Sequence, residues 1–217
     1  MNKQWSEQNK IMQSQIKKEP TFSDGICTLL DLRKKLFQQL LDFKNTLTND
    51  EFCAIPFINA NGYHNKTIAY SIWHIFRIED IVAHTLICHD TQVFFKKNYQ
   101  TIIASPIITT GNELVKEQIA DFSKQLNLDA LYAYIEEVYS GTNTILKSLS
   151  YSDTKRKISQ VEKNELLELQ VVSTDEKAFW LIDYWCRKDV RGLLTMPLSR
   201  HWIMHIEAAI RIMNKIH

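Results

Sequence analysis

The stretch Thr67-Ile-Ala-Tyr-Ser-Ile-Trp-His-Ile-Phe-Arg-Ile-Glu-Asp-Ile-Val82 decides the fold. Its apolar residues Ile68, Ile72, Ile75, Phe76, Ile78, Ile81 and Val82 recur at three- and four-residue steps, the repeat of a helix face, and do not alternate as a half-buried strand would. Thr67 or Asn65 is placed to cap this helix. One residue interrupts the apolar setting: His74, whose imidazole needs a partner for each ring nitrogen if it is buried.

The same spacing recurs on both sides. Upstream, Ile26, Leu29, Leu30, Phe37, Leu40, Leu41 and Leu47 predict a helix that opens at Ser23 or Asp24 and ends near Asn45 to Asn49. The stretch 51–66, with Pro56 and Asn61-Gly62, reads as a loop. Downstream, residues 91–110 read as a short helix and loop, 112–124 as a modest helix, and 129–149 as a long one. Residues 151–157 read as a loop and 162–170 as another short helix, and Ser173-x-x-Glu176 fits a capping box for a helix running to about Val190, with Gly192 placed to stop it. Pro197 suits the first turn of a last helix that continues to the chain end. The chain is therefore all-α, with residues 1–22 as an N-terminal arm or short helix and 23–217 as a single domain.

Composition narrows the function. The 217 residues carry 26 Lys+Arg against 25 Asp+Glu, a net charge of +1 that supplies no overall field for a nucleic-acid backbone, and Lys155-Arg156-Lys157 reads as a solvated loop. No apolar run approaches the roughly 20 residues of a membrane span, and the first ten residues lack the apolar core of a secretory leader. Cys27, Cys53, Cys88 and Cys186 are scattered without a C-x-x-C pair, which suits reduced thiols in the cytoplasm. The expectation is a chain with no nucleic-acid or membrane partner.

The chemistry lies in Arg200-His-Trp-Ile-Met-His-Ile-Glu207. Residues four apart on a helix differ by about 40° in direction and about 6 Å in height, so His201 and His205 share a face and can grip one ion. Taken alone, that pair could equally be two ordinary histidines on a half-buried face. With His74 the set has three imidazoles, the number that leaves a coordination position free for water or substrate. Trp202 follows His201 where a zincin protease would have Glu, and no Glu-x-x-His is present to build a di-iron carboxylate site. One mononuclear ion is expected, zinc or nickel, with ferrous iron the third choice. Tyr70 and Arg77, one turn either side of His74, are candidate substrate-binding residues, against the plainer reading of a core-edge tyrosine and a solvated arginine. Arg191 and Arg200 are weaker candidates for binding a carboxylate. His64, His84, His89 and His217 read as structural or solvated.

The histidine of Ile72-Trp-His-Ile75 on the second helix and the pair of His201-Trp-Ile-Met-His205 on the last resemble, in type and order, the DinB/YfiT-like metalloenzyme family over residues 23–215. The resemblance implies an up-down-down-up four-helix bundle with short accessory helices, a homodimer, and one divalent metal on His74, His201 and His205. Characterised members include bacillithiol-dependent thiol transferases and a mycothiol-dependent maleylpyruvate isomerase. By that analogy the partner would be a small-molecule substrate with a low-molecular-weight thiol, and the reaction an S-transfer. The chain departs from the family in its N-terminal stretch and in an insert over 90–127, so no particular thiol or substrate carries over. A metal-dependent hydrolase and a non-catalytic, metal-binding or dimerising bundle remain the alternatives. A role in nucleic-acid binding, suggested by the family's name alone, has no support in the charge.

Overall fold

In the computed structural model, which describes residues 2–217, every regular element is a helix, apart from one isolated bridge between Lys157 and Asp189. The N-terminal stretch is the short helix α1 (Lys3–Gln15), which packs along α2 (Phe22–Thr46) through Trp5 and Met12. Gly25 permits that approach, since a Cβ there would stand 2.5 Å from Ile16 Cγ2. The region read as a loop after α2 holds a helical turn, α3 (Asn49–Cys53), closed by a Thr48–Glu51 capping box that the sequence reading passed over.

Helix α4 (Ile68–Asp80) begins at Thr67, whose Oγ1 accepts the Tyr70 N–H at 3.0 Å. All of its residues are buried, including the polar ones. The chain continues as a π-helical segment, Ile81–Cys88, and stops at His89, which adopts left-handed φ of 58°. Two short helices follow, α5 (Val93–Lys96) and α6 (Tyr99–Ile103), then α7 (Glu117–Gln125), which starts five residues later than its apolar spacing suggests. Helix α8 (Leu128–Ser148) is capped by Asn127, and α9 (Gln160–Glu168) by a Ser159–Glu162 box.

Helix α10 (Glu176–Cys186) is capped not by Ser173 but by Asp175, whose carboxylate accepts the Lys177 N–H at 2.8 Å. Gly192 is no terminator either: it lies inside α11 (Val190–Thr195), donating to Asp189 Oδ1 at 2.8 Å. A π-helical segment, Met196–Arg200, leads without a break into α12 (His201–Ile216). Pro197 falls in its first turn, where a backbone N–H has no helical partner to lose.

The long helices α2, α4, α8 and α12 pack on one another. Their buried apolar residues fall into two clusters stacked end to end along the helices. On α2 the division falls between Leu29 and Leu32, on α4 between Phe76 and Ile78, and ahead of α12 between Leu198 and Trp202. Polar residues gather at that seam. Arg33 and Glu79 meet there as a fully buried pair, at 2.7 and 2.8 Å, and Arg77 and Asp80 sit beside them. Burying such groups is tolerable only where every charge is matched, so the seam is the part of the core with the least freedom to shift. His201 lies within the division ahead of α12, and His74 lies just before the one on α4. Among the described residues no helix is long and apolar enough to cross a membrane.

Candidate metal centre

Helix α4 is buried on all sides, so the ring of His74 needs partners from the protein. Its Nδ1 lies 2.8 Å from the Thr110 carbonyl oxygen. A carbonyl can only accept, so Nδ1 carries the proton and Nε2 presents its lone pair. Tyr70 stacks on the same ring at 5.5 Å and donates its hydroxyl to Gly111 O at 2.9 Å. Two successive backbone carbonyls thus fix both rings. Gly111 suits this close approach: its φ is +78°, and a Cβ would meet Tyr70 Cε2 at 3.0 Å.

The three histidines that the spacing selects converge. One ring nitrogen from each of His74, His201 and His205 lies within 4.8 Å of the others, and among the described residues no other group of three or more His, Cys, Asp or Glu does so. His74 Nε2 and His201 Nε2 are 3.2 Å apart. Nitrogens held at about 2.0–2.1 Å from one tetrahedral ion stand about 3.3 Å from each other, so this separation suits a shared cation. Hydrogen bonding alone does not satisfy the set. If His201 donates to His74, its own Nδ1 is left without a partner, as are both nitrogens of His205, and all are buried. An ion would take up one nitrogen from each ring and reduce these orphans to the two outer nitrogens of His201 and His205. The donor set therefore fits a metal better than it fits a dry core.

Electrostatics favour the ligating form. Burial pushes the His74 pKa down to about 4, opposed by the Thr110 hydrogen bond and assisted by the nearby Lys66 ammonium. His201 and His205 are driven well below the ordinary value by burial first and by the neighbouring imidazoles second, with Lys66 adding to the effect on His205. All three are neutral at pH 7. Because the unfolded chain protonates these rings first, stability is intact above the ordinary value of 6.5 and falls as pH drops below it, for His74 down to about pH 4. The expected loss in the metal-free chain is up to about 1.4 kcal/mol per pH unit for each histidine. Urea unfolding at about pH 7.5 and about pH 5.5 reads it directly; equal midpoints would show that the rings are not buried as neutral groups.

The histidines form one end of a cavity of about 300 Å³, whose other walls include Ile78, Leu181, Trp185 and Pro197. A larger cleft of about 410 Å³ between Lys44 and Tyr132 contains no histidine or cysteine, and its size alone gives it no chemistry.

Neither substrate-binding candidate lines the histidine cavity. Arg77 is buried completely, with its guanidinium donating to Ile108 O at 2.8 and 3.2 Å, to Gln92 at 3.1 Å, and to Asp80 and Tyr134 at 3.3 Å. The expectation that it meets an anionic substrate fails because it tethers the 104–110 loop to α4. Tyr70 supports His74 from behind. Arg191 points to Thr154, and Arg200 is exposed. His84 pairs with Asp90 at 2.5 Å, and His89, His64 and His217 lie outside the cluster, near Glu162, Phe57 and Glu51.

Several parts of the site escaped the sequence reading. The Thr110 carbonyl is a backbone group, and no residue type announces it. Tyr63, Asn112, Trp180 and Tyr184 border the cavity from loops and from α10. The only available signal was the Trp180–Tyr184 pair, aromatic residues four apart on a helix face too polar to belong wholly to the core.

No family model matches the chain, and neither does any curated protein.

Proposed function

We propose that the chain is a metal-dependent enzyme of the DinB/YfiT-like type, built on a four-helix bundle of α2, α4, α8 and α12, and that His74, His201 and His205 hold one divalent ion. The observation that carries this reading is the convergence of three buried imidazoles beside a cavity, with the Nδ1 of His201 and both nitrogens of His205 left without protein partners. A bound zinc, nickel or ferrous ion would supply Lewis-acid chemistry, lowering the pKa of a coordinated water or thiol and polarising a carbonyl.

The protein's own part is positional. Thr110 O holds the His74 proton on Nδ1 and so keeps Nε2 available, Tyr70 braces the ring, and the apolar walls exclude bulk water. Three ligands rather than four favour catalysis over a purely structural ion, because a closed structural site is saturated by the protein. Among metal-dependent reactions the reading favours transfer of a low-molecular-weight thiol to a small electrophile in a cytoplasmic homodimer.

The test uses tag-free, metal-stripped protein. Cobalt is expected to develop visible absorption up to one equivalent, and the signal should be absent in His201→Ala. Metal-restored protein should then consume an electrophile only when a small thiol is present. Consumption without thiol would reassign the chain as a hydrolase, and no spectral change at equimolar cobalt would remove the ion from the proposal altogether.

A further inference from the structure

The chemistry of the cavity walls specifies more than the presence of an ion. Resting on the metal-enzyme reading above, we infer that the substrate brought to this site is uncharged and flat, an aromatic or similarly planar apolar electrophile of one or two rings, selected by Trp180, Tyr184 and Trp185. No Asp, Glu, Lys or Arg lines the cavity. A carboxylate or phosphate on the body of the substrate would find no counter-charge in the walls and would lose its hydration on entry. The arginines are committed elsewhere or exposed. The one cation felt at the histidines, Lys66, sits over the face of the Tyr70 ring at 5.4 Å and is not part of the lining.

The rim is prepared for a planar guest. Trp180 is 51 % exposed, yet its indole N–H is tied to Lys177 O at 2.8 Å, which holds a large apolar surface in place at the mouth. Tyr184 meets it edge to face at 5.6 Å, and Lys188 lies over the other ring at 4.1 Å. Such rigid aromatic plates bind flat groups with little further loss of freedom. Deeper in, Trp185 and Leu181 are buried and close the apolar wall. Asn112 supplies a neutral polar contact: its Oδ1 accepts the Thr110 hydroxyl at 2.7 Å, which leaves the amide nitrogen for a carbonyl or ether oxygen. The volume of about 300 Å³ lies at the small end of ligand sites and suits a compact ring body.

Hydroxamates that share a metal-binding head and differ only in the tail test the inference on the cobalt-loaded protein. Against acetohydroxamate, 2-naphthohydroxamate is expected to bind about 100-fold more tightly, and succinate monohydroxamate no more tightly. The naphthyl advantage should fall about tenfold in Trp180→Ala and in Tyr184→Ala, both of which alter side chains at the solvent-facing rim. A succinyl compound that binds more tightly than the naphthyl one, with its gain lost in Lys66→Ala, would overturn the inference in favour of an anionic substrate. So would a naphthyl advantage untouched by either rim variant, or no hydroxamate binding beside a normal cobalt spectrum. If cobalt itself fails to bind, the metal reading falls separately. The cavity is then judged by quenching of tryptophan fluorescence with naphthalene-2-carboxamide and the corresponding carboxylate: tighter binding of the amide upholds the apolar site, and equal or weaker binding ends it.

Discussion

Changing His205 to leucine is expected to weaken metal binding by about 100-fold or more while making the metal-free protein more stable. The first effect follows from removing one of the three proposed ligands, a larger loss than the roughly 10- to 100-fold that accompanies disturbance of groups merely supporting a ligand. The second follows from burial. Both ring nitrogens of His205 lie in the core without a hydrogen-bond partner, and a buried unsatisfied polar group costs about 1–3 kcal/mol that an apolar side chain does not. Chelator competition reads the affinity, and urea unfolding of the stripped protein reads the stability. A leucine variant that keeps its affinity would remove His205 from the ligand set; one that destabilises the stripped protein would show that the ring nitrogens are partnered after all.

The second large effect lies on α4. Glu79→Gln is expected to destabilise the protein by about 3–5 kcal/mol, because it leaves the Arg33 guanidinium charged in a site with no solvent exposure. Arg33 donates twice to Glu79, once to Asn143 Oδ1 at 2.9 Å and once to Leu198 O at 3.2 Å, and its plane lies 4.6 Å from the Trp202 ring. Replacing both partners, as Arg33→Met with Glu79→Met, should return most of the loss, since an apolar pair needs no counter-charge. Thermal and urea unfolding of the single and double variants form the cycle. Because Leu198 and Trp202 bracket His201, the single variant should also weaken cobalt binding by about tenfold, comparable with loss of a supporting group. A single variant as stable as the parent would mean that water reaches the seam.

The helices were legible because burial writes itself into spacing. The 67–82 stretch and the i, i+4 histidine pair needed only the helical repeat to be placed on one face, and His74 was marked by an apolar setting in which an imidazole requires a reason. Arg77 misled for the complementary reason: the sequence shows which turn of the helix it occupies but not that the loop carrying Ile108, 31 residues downstream, folds back over that turn and offers a carbonyl to its guanidinium. Ser173 and Asp175 are both competent caps, and which one serves depends on where the preceding chain arrives. Trp180 and Tyr184 do not stand out in the sequence, because a rim residue and a core residue share the same hydrophobicity. Gly192 lies inside a helix rather than after one, since the Asp189 carboxylate three residues earlier restarts helical structure that Cys186 had ended.

The π-helical segment Met196–Arg200 directly precedes the two histidines of α12. A π turn accommodates about one residue more than an α turn, and each residue turns a helix by about 100°. With the residue count unchanged, relaxing the segment to ordinary pitch would turn the helix that carries His201 and His205 by about 100° and swing both away from His74, with all three histidines still present in the chain. The convergence of the rings thus depends on local helical pitch as well as on residue identity. A chain with the same three histidines and the same number of residues between Val190 and His201, but no π turn, would share the letters without the geometry.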